Sequence, residues 1–355
     1  MKIVFKGRMM RTINGAAGEG GGQIFRTTLT LAMCLGLDVR IVNIRAGRKK
    51  PGLLRQHLTC LRAAQTICSA DVSGDELGSQ EVIFKPGNVI PGDYEFSVGS
   101  AGSTSLVLQT IMMPLLLQSH ASSVIINGGT HNSKAPSFEF LNNSFILAVR
   151  KMGYQITAEL LKYGFNPAGG GAIKMELKPH KVLEPLQLLD SGALVDKKAN
   201  AIGSQIPQQV LVRELRQLQQ QHHWLPEECS EQLVESTGPG NLLSLKLTME
   251  NTTLVFDELG GRGLRAEKVA NLAEQRVQSY LKNQVPVCEY LADQLLLPML
   301  FAGGSFKTGR PSLHTTTNIN VIQQLLDLNI EVNQLNKRCW QLDIPPLKNL
   351  QELIN

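Results

Sequence analysis

Clusters of glycine punctuate this chain where strand-like runs give way to helix-like ones. Arg11–Asn14 leads through Gly15-Ala16-Ala17-Gly18-Glu19-Gly20-Gly21-Gly22-Gln23 into an apolar helix expected over Ile24–Leu35. Tyr94–Val98 leads through Gly99-Ser100-Ala101-Gly102-Ser103 into a second helix, Thr104–Gln118, and Ser122–Ile126 reaches Gly128-Gly129-Thr130 before a third, Phe138–Met152. Glycine bends the chain at low steric cost. A run of strand, tight turn and helix, repeated, builds layered αβ units rather than a helical bundle or an all-β sandwich. The expectation is an α/β (α+β) chain of repeated αβ modules, although the copies share little sequence.

The first glycine cluster also carries chemistry. Strand, glycine loop and helix present backbone N–H groups to an anion. The cluster lacks Gly-Lys-Ser/Thr and a clean GxGxxG, so it is neither a Walker A loop nor a dinucleotide fingerprint. Glu19 within the loop and Arg26 one turn into the helix are suited to a metal–phosphate ligand. The strand-like Asp38–Ile44 then ends in a basic run from Arg45 to Arg55, interrupted by Pro51-Gly52. An amphipathic helix follows (Leu53, His57, Leu61, Ala64, Cys68) and sets Gln56 and His57 beside the cations. That placement favours phosphate over a merely solvated loop.

Composition bounds the rest. At 355 residues the chain exceeds a typical single small domain. Hydrophobic residues make up 43 % and charged residues 18 %, with a net charge of +5. Such a mild positive balance suits a polyanion without demanding one. Cys34, Cys60, Cys68, Cys229, Cys288 and Cys339 form no CxxC pair and read as reduced thiols of a cytoplasmic protein. His222-His223 lacks a third ligand at useful spacing, so no zinc site is expected. No apolar run has membrane-spanning length, and Met1–Lys6 lacks the apolar stretch of a secretory signal. Patterned sequence begins only at Arg11, which makes Met9 or Met10 an alternative start.

After Pro179 the texture changes. Lys181 to about Leu281 is richer in Gln and Glu, with a polar helix near Val210–Gln221, strands at Leu242–Met249 and Thr252–Leu259, and a helix over Arg265–Leu281. The apolar texture returns at Glu289–Met299, where Tyr290, Asp293 and Gln294 share a helix face. Gln109 in the second helix and Asp293 here both sit among apolar neighbours, where a buried polar group needs a partner or a ligand. Last comes Gly309-Arg310-Pro311-Ser312-Leu313-His314-Thr315-Thr316-Thr317-Asn318. Its Pro, Ser and Thr residues place His314 on a turn or strand end, with a helix expected from an Asn318 cap.

These stretches together resemble the RNA 3′-terminal phosphate cyclase family, from about Arg11 to Leu335. The resemblance rests on Gly18–Arg26, Ile44–Arg48 with Pro51-Gly52-Leu53, Leu108-Gln109-Thr110, Pro167–Gly171, Glu289–Leu295 and the His314 stretch. Tyr163 departs from it, standing where the family's glycine signature commonly starts with a basic residue. The resemblance implies three repeated units of one four-stranded sheet and two helices, at 1–185 and 282–355, with a smaller αβ domain inserted at 186–281.

It also implies ATP-dependent conversion of an RNA 3′-phosphate to a 2′,3′-cyclic phosphodiester, through AMP carried on His314. Arg26, Arg45 and Arg48 would meet triphosphate or RNA phosphate, with Gln56 and His57 beside them. Gln109 and the run Tyr290, Leu291, Ala292, Asp293 and Gln294 would form the nucleotide pocket. Glu19 and Asp293 would hold Mg²⁺ or Mn²⁺. The partner is RNA bearing a 3′-terminal phosphate, and the resemblance leaves room for a homodimer. Rival readings are a non-catalytic relative acting in ribosome assembly, which would lack the histidine, an enolpyruvyl transferase with similar modules but no nucleotide, and a plain RNA-binding module.

Overall fold

The computed structural model describes residues 10–180 and 182–347. The stretch Met1–Lys6 and Met9 lie outside them. The first unit runs β1 (Arg11–Asn14), α1 (Gly22–Leu35), β2 (Val39–Val42), α2 (Arg55–Cys68), β3 (Asp71–Ser73) and β4 (Val82–Lys85). Its sheet has the order β1-β2-β4-β3, with β1 and β2 parallel and the other pairs antiparallel.

The second unit repeats that arrangement: β5 (Asp93–Ser97), α3 (Thr104–Leu116), β6 (Ser122–Gly128), a helix in three parts, β7 (Gln155–Lys162) and β8 (Gly171–Lys178). The order is β5-β6-β8-β7. The three-part helix is α4 (Phe138–Phe140), a π turn (Leu141–Phe145) and α5 (Ile146–Lys151).

The third unit opens with β9 (Leu186–Leu188) and is then interrupted. It resumes with α8 (Glu289–Ala302), β14 (Gly304–Thr308), α9 (Leu313–Leu325), β15 (Glu331–Asn336) and β16 (Cys339–Ile344). β9 pairs parallel with β14 across the interruption, giving the order β9-β14-β16-β15. All three units thus share one topology, and every parallel pair is bridged by a helix, as parallel strands require.

Between β9 and α8 lie β10 (Leu194–Ser204), α6 (Gln208–His222), β11 (Cys229–Leu233), β12 (Gly240–Met249), β13 (Thr253–Leu259) and α7 (Ala266–Asn283). They form a fourth sheet, β11-β10-β12-β13, under two packed helices. Its edge strand β13 docks on the π turn, where Ser144 accepts a hydrogen bond from the Val255 amide at 2.9 Å. An edge N–H that would otherwise seek a stray partner is thereby satisfied.

Helices from different units meet at the centre: α1 packs on α3 and α9, α2 on α3, and α8 on α9. Their apolar faces, with Phe25, Leu29, Leu108, Ile111, Leu295 and Ile322 all buried, join the sheets in one core.

The helix that carries His314 departs from the sequence reading. α9 begins at Leu313, not near Asn318. Ser312 caps it, its hydroxyl accepting from the Thr315 amide at 3.2 Å. His314 therefore stands in the first helical turn, and Asn318 is buried inside the helix. Thr315 and Thr317 are buried too, so packing overrides the turn tendency of the Thr run.

Candidate active site

The N-terminal turns of α1, α8 and α9 converge on one cavity of about 1270 Å³. That exceeds what one nucleotide fills and suits two substrates held together. Its lining includes most residues singled out from sequence: Glu19, Arg26, Arg45, Arg48, Gln56, His57, Gln109, Tyr290, Asp293, Gln294 and His314. Leu291 and Ala292 are not among them. They lie on the opposite face of α8, fully buried in the core.

At the centre is a chain of three side chains. Asp293 Oδ2 accepts from Gln23 Nε2 at 2.8 Å, and Gln23 Oε1 lies 2.6 Å from His314 Nδ1. With the Asp293 oxygen accepting from the amide nitrogen, the amide oxygen faces the imidazole. His314 Nδ1 must then carry the hydrogen, leaving the Nε2 lone pair free. Partial burial and the charges of Arg26 and Arg48 push the His314 pKa down, which favours the neutral ring. Burial pushes Asp293 up to about 7, against the opposing effects of Gln23 and Arg26. Asn318 locks the three helices together: its Oδ1 accepts from Thr27 Oγ1 at 2.6 Å, and its Nδ2 donates to the Asp293 carbonyl at 3.1 Å.

Around this chain lie groups suited to phosphate. Gly21, Gly22 and Gln23 open α1 into the cavity, and no side chain caps that end. Its backbone N–H groups and dipole favour an anion. A Cβ at Gly22 would collide with His57 Nε2 and Arg26 Nη1, so glycine lets both side chains approach the loop. His57 is buried, and its Nδ1 accepts from the Leu54 amide at 3.1 Å. Burial, then Arg26 and Arg45, hold its pKa down at about 3. Near neutral pH it is an uncharged N–H donor at Nε2 and not a base. Arg48 pairs with Glu19, and it donates to the Glu19 carbonyl at 2.8 Å. Thr317 Oγ1 accepts from the Glu19 amide at 3.0 Å, tying the glycine loop to α9.

Other expected residues are partly spent on structure. Arg45 Nη1 donates to the carbonyls of Lys50 and Gly52, at 2.7 and 2.8 Å, which folds the basic loop around its own guanidinium. Gln56 Oε1 accepts from the Ser103 amide at 2.8 Å. Gln109 Nε2 donates to Gln294 Oε1 at 2.5 Å, and Gln294 Nε2 donates to the Tyr290 carbonyl at 2.7 Å. Tyr290 is half exposed, leaving a ring face for a base.

The two carboxylates expected to hold metal both line the cavity, each with a partner of its own: Asp293 with Gln23, and Glu19 with Arg48. Glu19 keeps a cavity-facing carboxylate and fits a hard cation that arrives with phosphates. Among the described residues no group of three or more His, Cys, Asp or Glu is placed to hold a metal. His222 Nε2 instead lies 2.8 Å from Asn271 Oδ1.

Sequence reasoning missed Gln23, Thr317 and Asn318. Gln23 had a signal: a glutamine closing a glycine cluster just ahead of an apolar helix raises the same partner question as Gln109. It also missed the wall from β13 and the loop after β6, where Ser137 Oγ donates to Asp257 Oδ2 and His131 Nε2 lies 2.7 Å from Glu139 Oε2. Tyr163, the one departure from the family pattern, stacks on His131 at a centroid distance of 5.3 Å. Its aromatic ring is thus used in this wall.

Comparisons with known proteins point to one family. The family model described as RNA 3′-terminal phosphate cyclase matches residues 17–332. A protein of Ectopseudomonas mendocina named RNA 3′-terminal phosphate cyclase is 44 % identical over 92 % of this chain and 96 % of its own length. One of that name from Koribacter versatilis is 43 % identical over 93 % of each chain, and one from Pseudomonas fluorescens 44 % over 91 % of this chain and 95 % of its own. With three units of one topology, a fourth sheet between β9 and α8, and matches of this length, the chain belongs to the RNA 3′-terminal phosphate cyclase family.

Proposed function

We propose that this protein converts an RNA 3′-terminal phosphate to a 2′,3′-cyclic phosphodiester at the expense of ATP, with His314 Nε2 as the nucleophile. The observation that carries the reading is the Asp293–Gln23–His314 chain, which fixes one imidazole tautomer. A neutral imidazole with a free nitrogen lone pair is a competent nucleophile near pH 7. The relatives' shared name supports the overall reaction.

In the first step Nε2 attacks the α-phosphorus of ATP. A P–N bond forms, the bond to the β-phosphate oxygen breaks, and pyrophosphate leaves. The ring becomes cationic, and its Nδ1–H stays on Gln23 Oε1. Asp293, behind Gln23, favours that charge. In the second step an oxygen of the RNA 3′-phosphate attacks the same phosphorus, and the P–N bond breaks to give an RNA–adenylate anhydride. In the third the ribose 2′-OH attacks the RNA phosphorus, its proton is released, and AMP departs. Ring closure gains from proximity, because the hydroxyl is already held beside the phosphate.

Arg26, Arg48, the His57 N–H and the α1 amides neutralise and orient the phosphates throughout, which is the main demand of phosphoryl transfer. Tyr290 and the linked pair Gln109–Gln294 line the space for the base. Glu19 would hold a divalent cation accompanying ATP, whose charge would further offset that of the triphosphate. We also propose that the segment from β10 to α7, the core of the 186–281 block, is an inserted domain, with β9 left to the repeated domain formed by the rest. The free cysteines suit a cytoplasmic enzyme, and no helix among the described residues is long and apolar enough to cross a membrane.

The test is conversion of a 3′-phosphorylated oligoribonucleotide, with ATP, to an end that resists phosphatase. The reading predicts that a 3′-phosphorylated DNA end accepts AMP but forms no cyclic product, because it lacks the 2′-OH. A protein that leaves RNA ends unchanged, or an AMP-free cyclic end on DNA, contradicts it.

A further inference from the structure

The cations of the cavity are not equally compensated. Arg276 pairs with Glu258 at 2.8 Å and donates to the Asp257 carbonyl at 2.8 Å. Arg48 pairs with Glu19, Arg26 lies near Asp293, and Arg45 is committed to carbonyls of its own loop. Three lysines have no such answer. Lys49 and Lys50, on the loop after β2, and Lys134, on the loop between β6 and α4, are exposed and line the same cavity. None of them has a carboxylate or carbonyl partner among the described residues. They come from two different units, so the fold and not local sequence gathers them.

Uncompensated cations at a cavity mouth raise the local concentration of anions and repel one another until an anion arrives. Their number exceeds what a terminal phosphate needs, since arginines, the His57 N–H and the α1 amides already surround the centre. Flexible lysines suit phosphodiesters of variable position, whereas the planar arginines suit the fixed reacting phosphates.

Resting on the function proposed above, we infer that Lys49, Lys50 and Lys134 form a track for the RNA strand 5′ of the reacting end, gripping its phosphodiesters without reading bases. The enzyme then favours an RNA strand over a mononucleotide with the same terminal phosphate. The gain lies in binding and is the same in ground and transition states.

The test compares the wild type with K49A/K50A/K134A, using a 3′-phosphorylated oligoribonucleotide and a nucleoside 3′,5′-bisphosphate. Direct binding of the oligoribonucleotide is measured against salt. Each phosphate contact on a single strand contributes about 0.7 to the log–log slope, so losing three makes the slope shallower by about 2. At low salt the KM for the oligoribonucleotide rises about tenfold or more, while that for the bisphosphate, the KM for ATP in self-labelling and kcat are unchanged. K49R/K50R/K134R restores the wild-type slope. If the triple alanine variant does not fold, each single alanine variant lowers the slope by about 0.7.

An unchanged slope overturns the inference. So does an equal loss on the short substrate, and so does a raised KM for ATP, which would assign the lysines to the triphosphate. Failure of the wild type to cyclise any RNA would refute the proposed function separately, because the binding slope is read without turnover.

Discussion

At the scale of single residues, the account turns on how Gln23 presents its amide. Asp293→Asn places a second amide against the first. Where the Asn presents its nitrogen, Gln23 turns its own nitrogen toward His314 and the ring hydrogen moves to Nε2. Self-adenylylation is expected to slow by up to about 10⁴-fold, the loss seen when a histidine is held in the wrong tautomer, while ATP binding changes little. Gln23→Ala removes the orientation without imposing the wrong one and costs less. Rapid-quench labelling with ATP separates the two. Gly22→Ala drives a methyl group into His57 and Arg26 and is expected to abolish labelling without unfolding the protein, checked by thermal melting.

The identities of these groups were largely legible in the sequence: Glu19, Arg26, Arg48, His57, Asp293 and His314 all face one cavity. The bonds between them were not, because 291 positions separate Gln23 from His314 and no local pattern encodes that meeting. Leu291 and Ala292 shared a motif with Asp293, but helical period turns them to the core.

At the scale of elements, α9 carries the reacting ring on its first turn, and that turn depends on Ser312. Ser312→Ala removes the cap and costs about 1 kcal/mol. The loss is read as a lower denaturation midpoint together with weaker labelling of His314. Asn318→Ala is more severe. It strands the buried Thr27 hydroxyl and the Asp293 carbonyl, for about 2–3 kcal/mol in chemical denaturation.

Long apolar elements such as α1, α3 and α8 were readable because their period and glycine punctuation agree. α9 was misplaced because its Thr run reads locally as a turn, and its buried face becomes evident only where it meets α1. β15 escaped notice because all six of its residues are exposed, so no alternation marks it.

At the scale of the whole molecule, one topology occurs three times and the third copy opens to admit a fourth sheet. Strand order and helix placement, rather than residue identity, are what the copies share, and a single sequence does not display them. The fourth sheet adds Asp257 and Glu258, and its helix α7 adds Arg276, to the wall of the cavity, so their stability bears on the site.

Within it, Glu214 on α6 is fully buried, with one hydrogen bond, from Asn241 Nδ2 at 3.2 Å. Burial raises its pKa from 4.5 to about 7. The folded state therefore holds a proton that the unfolded state releases. The benefit is complete below pH 4.5, declines as pH rises, and is gone above about 7. That gap corresponds to a span on the order of 3 kcal/mol. Glu214→Gln is expected to flatten this dependence, melting higher than the wild type at pH 8 and level with it at pH 5.

Residues of the first and third units meet at one imidazole, and the most direct measurement is made there. The protein is incubated with α-labelled ATP and a divalent cation, digested, and its peptides are sequenced by mass spectrometry. The account predicts one AMP on the peptide bearing His314, attached at the imidazole, released by RNA with a 3′-phosphate and absent from His314→Ala. AMP on another residue, or undiminished labelling of the variant, would contradict it.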